Sequence, residues 1–193
     1  MTCYEINSAR MAAADTELDP DITAAMDAVM RGRPPLLLFT TLARDKRLFF
    51  KFFSGGLLDR GHLTLRQREI VIDRTTALCG AEYEWGVHIR GFAAAANLTN
   101  AQITSLVHGD AEDDCWTDED AVLLRTADAL HTNATLDDDT WTELARSFSD
   151  EAILEILLLA GFYRTTSYLV NSLKLPLEPG SAKFENYPYG RNR

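Results

Sequence analysis

Apolar residues recur three and four positions apart along almost the whole chain, and no stretch alternates apolar with polar residues between turn signals. This pattern predicts an all-α fold of about eight helices. Asp19-Pro20-Asp21 opens the first, with proline early and acidic residues in the opening turn. Ile22, Met26, Val29 and Met30 form its stripe, and Gly32 followed by Pro34 and Pro35 stops it. A short apolar helix is expected over 36–43. Asp45 caps the next, whose Leu48, Phe49, Phe52 and Phe53 make an aromatic face before Gly55-Gly56 weakens it. Thr64 caps a helix over 65–79, Gly80 breaks it, and another runs over 81–96. Thr99 caps a short helix over 101–107, and 109–117 reads as a loop. Further helices are expected over 121–131, over 137–148 with Trp141 and Leu144 facing inwards, and over 152–173. From Pro176 the tail holds three of the six prolines and is expected to be irregular, with Phe184, Tyr187 and Tyr189 packing on the body.

The 193 residues suit one domain with a core that needs no disulfide. We divide it into an N-terminal helical extension (1–34), a core (35–175) and the tail (176–193). Acidic residues outnumber basic ones 29 to 19, for a formal net charge of −10. No basic stripe is visible, which argues against nucleic acid as the main partner. The cysteines, Cys3, Cys79 and Cys115, are odd in number and scattered, a usage that points to a reducing, cytoplasmic location. The first residues have neither a basic region nor an apolar run, so no signal peptide is expected. The longest apolar run, 153–162, is about half of what a bilayer span requires and is expected to be a buried helix, with no membrane partner.

Candidate chemistry concentrates in the two helices around Gly80. Glu84 and His88 are four apart and share a helix face, and Glu69 lies on the preceding helix. A carboxylate beside an imidazole suits proton transfer near neutral pH. The same residues also fit plainer roles. His88 reads equally as a core histidine satisfied by a glutamate, and Glu69 as the ion-pair partner of Arg74. Cys79 reads as a small buried hydrophobe, and His62, His108 and His131 as solvated or capping groups. Two glutamates and a histidine are acceptable metal ligands, but helical di-iron proteins use Glu-x-x-His twice, whereas Glu-x-x-x-His occurs here once. The expectation is therefore no metal and no cofactor.

Glu69-Ile-Val-Ile, Tyr83-Glu-Trp-Gly-Val-His88 and the run 93–98 resemble the carboxymuconolactone decarboxylase family, whose superfamily includes the alkylhydroperoxidase D-like proteins. Flanking likeness at 43–49, at Asp128-Ala-Leu with Trp141, and at 163–173 extends it over roughly 35–175. The resemblance implies an alkylhydroperoxidase D-like helical bundle, a small-molecule substrate and a homo-oligomer, a trimer or hexamer with a dimer as the other option. The superfamily's redox branch carries Cys-x-x-Cys-x-x-x-His with a glutamate on the preceding helix. Laid on this chain, the histidine is His88, the glutamate is Glu69, and the cysteines fall on Ala81 and Glu84. Both sulfurs are missing, which tells against a peroxidase, because that cycle needs a nucleophilic and a resolving thiol. The resemblance then implies acid–base work by Glu84 and His88, with Glu69 orienting His88, and Tyr83 and Trp85 lining the entrance or a subunit contact. The expected function is decarboxylation, or a related lyase or isomerase step, on a small carboxylated or enolisable compound. An alkylhydroperoxidase-like peroxidase and a non-catalytic binding or scaffold protein are the alternatives.

Overall fold

The computed structural model describes residues 9–14 and 18–189, so Cys3 lies outside the described residues. Nine α-helices and one short 3-10 turn, with no strand, make up the described residues, in keeping with the all-α expectation. The helices are α1 (Pro20–Met30), α2 (Leu37–Leu42), α3 (Lys46–Gly55), α4 (Leu65–Leu78) and α5 (Glu82–Phe92). There follow α6 (Asn100–His108), α7 (Asp118–Asn133), α8 (Asp138–Ser147) and α9 (Asp150–Leu173), and the turn is Phe184–Asn186.

Local chemistry sets most of the starts. The side chains of Asp19, Asp45, Thr64, Thr99, Thr117, Asp137 and Ser149 each accept a backbone N–H of the first turn of the helix that follows. Thr64 with Gln67 and Thr99 with Gln102 close reciprocal capping boxes. The predicted 81–96 helix ends early, at Phe92. Asn97 takes a left-handed φ of 55° and Leu98 N–H donates to Ala93 O, so the chain turns to bury Ala96 and Leu98.

Helix α4 is the axis of the bundle. It packs against α5, α6, α7 and α9, and every residue from Glu69 to Thr76 is buried. A helix enclosed on all sides has no solvent face for polar residues, so its buried Glu69, Asp73 and Arg74 must find partners inside the protein. Ile70, Ile72, Leu123, Leu124, Leu144, Ile156 and Leu159 fill the surrounding core. Trp141 departs from expectation: it is 48% exposed, while Leu144 alone of the pair is buried. The two lie three positions apart on α8, and the strongly one-sided helix turns Leu144 to the bundle and Trp141 out.

Helix α9 is the one described helix long and apolar enough, by length and composition, to cross a membrane, with a mean hydropathy of 1.3. Here its inner face, including Ile153, Ile156, Tyr163 and Val170, is buried against the bundle, while Leu154, Leu158 and Tyr168 point outwards. The tail packs as expected at Phe184 and Tyr187 but not at Tyr189. Phe184 and Tyr187 lie on the Trp85 ring, with centroids 4.8 and 5.7 Å away, and Tyr189 is largely exposed.

Two glycines make this geometry possible. Gly80 has φ +61°, the left-handed turn that folds α5 back along α4. Gly86 lets the tail approach α5, because a Cβ there would collide with the carbonyl oxygen of Ala182. Gly86→Ala is therefore expected to lift the tail and to destabilise the protein by about 1–3 kcal/mol. Thermal unfolding gives the loss, and faster amide exchange over 181–187 locates it. An unchanged midpoint would show that the tail does not depend on this contact.

Candidate active site

The α4–Gly80–α5 hairpin brings Glu69, Glu84 and His88 together. Glu69 is 0% exposed, His88 3% and Glu84 7%. His88 Nδ1 lies 2.8 Å from Glu69 Oε2, and His88 Nε2 lies 3.5 Å from Glu84 Oε1. The imidazole is thus held between two carboxylates, one on each nitrogen. Its ring is further fixed edge-on to Tyr163 of α9, at 5.0 Å between centroids, and lies 5.3 Å from Phe92. Glu69 does not pair with Arg74. Its other oxygen accepts from Arg68 Nε at 3.3 Å, while Arg74 turns to Asp128 of α7.

One more acid belongs to the cluster. Asp73, one turn after Glu69 on α4, is fully buried, and neither carboxylate oxygen has a hydrogen-bond partner among the described residues. Burial, and after it the charge of Glu69, pushes its carboxyl well above the usual carboxylate range. For His88, burial alone lowers the imidazolium, but Glu69 and Glu84 outweigh it and raise it from 6.5 to about 10. A histidine raised in this way stabilises the fold fully below about 6.5, and that contribution is lost as pH climbs through about 10. The difference in thermal midpoint between the wild type and His88→Gln is accordingly expected to shrink between pH 6.5 and pH 10. A difference that stays constant over that range would contradict it.

A cavity of about 660 Å³ opens beside His88. Its walls come from α1, α2, α3, α4, α5 and α9 and the segments between, and include the rings of Phe39, Phe52, Phe53, Phe92, Phe162 and Tyr163. Arg31, Arg33 and Arg68 supply positive charge, and Glu84 and His88 are its acid–base groups. Glu69 and Asp73 do not line it; they stand behind His88. Among the described residues no cysteine lines it either. Cys79 sits half-buried at the end of α4 with its Sγ 3.7 Å from His131 Nδ1, and Cys115 lies in the loop before α7.

Tyr83 and Trp85 are turned away from this cavity. The Tyr83 hydroxyl donates to Glu178 Oε1 at 2.5 Å and accepts from Leu38 N–H at 3.1 Å, which ties the tail to α2. Its phenol is raised by burial and by the Glu178 carboxylate. Tyr83 borders a shallower groove with Val170, Asn171 and Leu177. Trp85 is 0% exposed beneath Phe184 and Tyr187. Conversely, Asp73, Tyr163 and Arg68 join the site without having been singled out from sequence. Asp73 was detectable as an acid directly after Ile70-Val71-Ile72, four residues from Glu69; Tyr163 carried no such signal.

Comparison with known proteins agrees with this geometry. Residues 46–128 match the carboxymuconolactone decarboxylase family. A peroxidase-related protein from Silicibacter sp. TM1040 superposes with a TM-score of 0.76 at 15% identity, over 95% of this chain and 100% of that one. The debrominase Bmp8, crystallised with 2,3,4-tribromopyrrole, gives 0.69 at 15% identity over 88% and 92%. An alkylhydroperoxidase AhpD core protein from Ralstonia eutropha JMP134 gives 0.69 at 17% identity over 89% and 93%. At these identities the likeness is one of fold. No curated protein matches the sequence. The matched segment holds Glu69, Glu84 and His88, and the surrounding helices have the AhpD-like arrangement, so residues 46–128 form a carboxymuconolactone decarboxylase family segment without the Cys-x-x-Cys pair.

Proposed function

We propose that this protein is an acid–base enzyme that moves a proton on a small ring-bearing acid, in a decarboxylation or a related lyase or isomerase step. The observation that carries this reading is the division of labour around His88. Glu69 grips Nδ1 from behind, while Nε2 and Glu84 both reach the cavity. Glu69 fixes the tautomer and orientation of the ring, as a buried carboxylate behind a catalytic histidine does. His88 donates to the oxygen on which charge develops, and Glu84 exchanges a proton with carbon. When the substrate loses carbon dioxide, the C–C electron pair enters the conjugated system as an enolate, and a proton from Glu84 or His88 then closes the new C–H bond.

The walls suit the substrate class. Six aromatic rings favour a flat, partly apolar body, and Arg68 with the rim arginines Arg31 and Arg33 favours a carboxylate. The debrominase of similar fold was itself crystallised with a small ring compound, 2,3,4-tribromopyrrole. A thiol peroxidase fits less well, because neither Cys79 nor Cys115 reaches the cavity.

The test is a panel of unsaturated ring and lactone carboxylic acids incubated in D2O. Proton NMR reads deuterium at the carbon next to the carbonyl, and a gas-phase assay reads carbon dioxide. Enzyme-dependent exchange or release with at least one member is expected. Peroxide reduction dependent on Cys79, with no exchange across the panel, would overturn the reading.

A further inference from the structure

Behind His88 the protein packs three carboxyl groups together. Glu69, Asp73 and Glu84 are all buried, and the guanidinium of Arg68 reaches this cluster only through Glu69 Oε1. Both oxygens of Asp73 and Oε2 of Glu84 are buried with no partner among the described residues. Leaving a buried polar group unpaired is costly, and an unpaired charge more so, so such groups call for a partner.

We infer that Glu69, Asp73 and His88 form a site for one divalent transition-metal ion. Each offers a ligand atom, and the three atoms lie within 4.8 Å of one another. Donors about an ion bound at roughly 2.1 Å stand about 3–4 Å apart, so a modest closing of the carboxylates completes the geometry. Mixed oxygen and imidazole donors without thiolate suit manganese, iron or zinc in the divalent state. Such an ion gives the orphaned Asp73 carboxyl the partner it lacks. The sequence offered Glu69, Glu84 and His88 as ligands and led to an expectation of no metal; it did not single out Asp73, which comes from the turn of α4 after Glu69. On the side of His88 that faces Glu69, the ion takes the place of the proton between Nδ1 and Glu69 Oε2 and holds the ring in its stead.

The inference goes beyond the proton-transfer reading and does not depend on it, since binding is measured without turnover. Chelator-stripped full-length protein is titrated with Mn²⁺, and the loss of the free-ion electron paramagnetic resonance signal is followed, with Zn²⁺ as competitor. One Mn²⁺ per chain is expected, displaced by Zn²⁺. The imidazole resonances of His88 should broaden before those of His62, His108 and His131. Asp73→Asn, nearly isosteric, should weaken binding by at least about 100-fold, whereas Asp110→Asn in the exposed loop should leave it unchanged. Absence of saturable binding, broadening at another histidine first, or an unaltered affinity in Asp73→Asn would each overturn the site. The broadening experiment needs no variant, so it decides the matter even if Asp73→Asn does not fold.

Discussion

His88→Ala lowers the rate of proton exchange on an accepted substrate by about 10²- to 10⁴-fold, the usual contribution of a positioned acid–base group. Its alanine side chain can neither donate to a developing oxyanion nor relay a proton to Glu84. Glu84→Gln removes the second cavity-facing group and falls in the same range, because a glutamine cannot give up and regain a proton at the substrate carbon. Glu69→Gln behaves differently. It keeps a hydrogen-bonding group on Nδ1 but withdraws the charge that helps hold the His88 proton, so its loss shows in the pH profile as well as in the rate. Steady-state exchange for the three variants, measured from pH 6 to pH 10, separates these outcomes. Equal rates in His88→Ala and wild type would remove the acid–base assignment.

Arg74→Ala destabilises the fold by about 2–4 kcal/mol, from loss of the ion pair to a partly exposed Asp128 and from the buried carbonyls it leaves unpaired. Arg74 is 5% exposed. It donates to both oxygens of Asp128, at 2.6 and 3.0 Å, and to the carbonyls of Ser105, Leu106 and Gly109 at 3.3, 3.0 and 3.1 Å. One guanidinium therefore fastens α4 to α7 and satisfies the C-terminal carbonyls of α6. Lysine has no planar fork with which to make these contacts, so Arg74→Lys recovers only part of the loss. Against the roughly 5–15 kcal/mol that holds a typical domain together, Arg74→Ala leaves a marginal protein. Urea unfolding measures it; a loss below about 1 kcal/mol would show the network to be dispensable.

The helices were legible because their start signals are local. Thr64, Thr99, Thr117 and Ser149 cap from side chain to a backbone N–H two or three positions away, and no distant residue is needed to read them. Spacing likewise placed Glu84 beside His88, and the resemblance placed Glu69 against it. Partner choice was not legible. Asp128 lies 54 residues from Arg74, and only the packing of α4 on α7 decides that Arg74 turns there and leaves Glu69 to His88 and Arg68. The inward Trp141 failed for a related reason, since apolar character does not fix which of two residues three apart meets the bundle. Tyr83 and Trp85 sit beside the motif in sequence, but α5 carries their side chains to the tail and not to the cavity. The cavity itself arises where α1, α2, α3, α4, α5 and α9 converge, which no single stretch of sequence displays.

The most direct test of proton chemistry at His88 compares two variants in one assay, deuterium uptake from D2O by an accepted ring acid. The cavity holds His88 and Glu84, and Cys79 lies outside it beside His131. The account predicts that Cys79→Ser exchanges at the wild-type rate while His88→Ala loses at least about 100-fold. Exchange that survives His88→Ala and disappears in Cys79→Ser would contradict it.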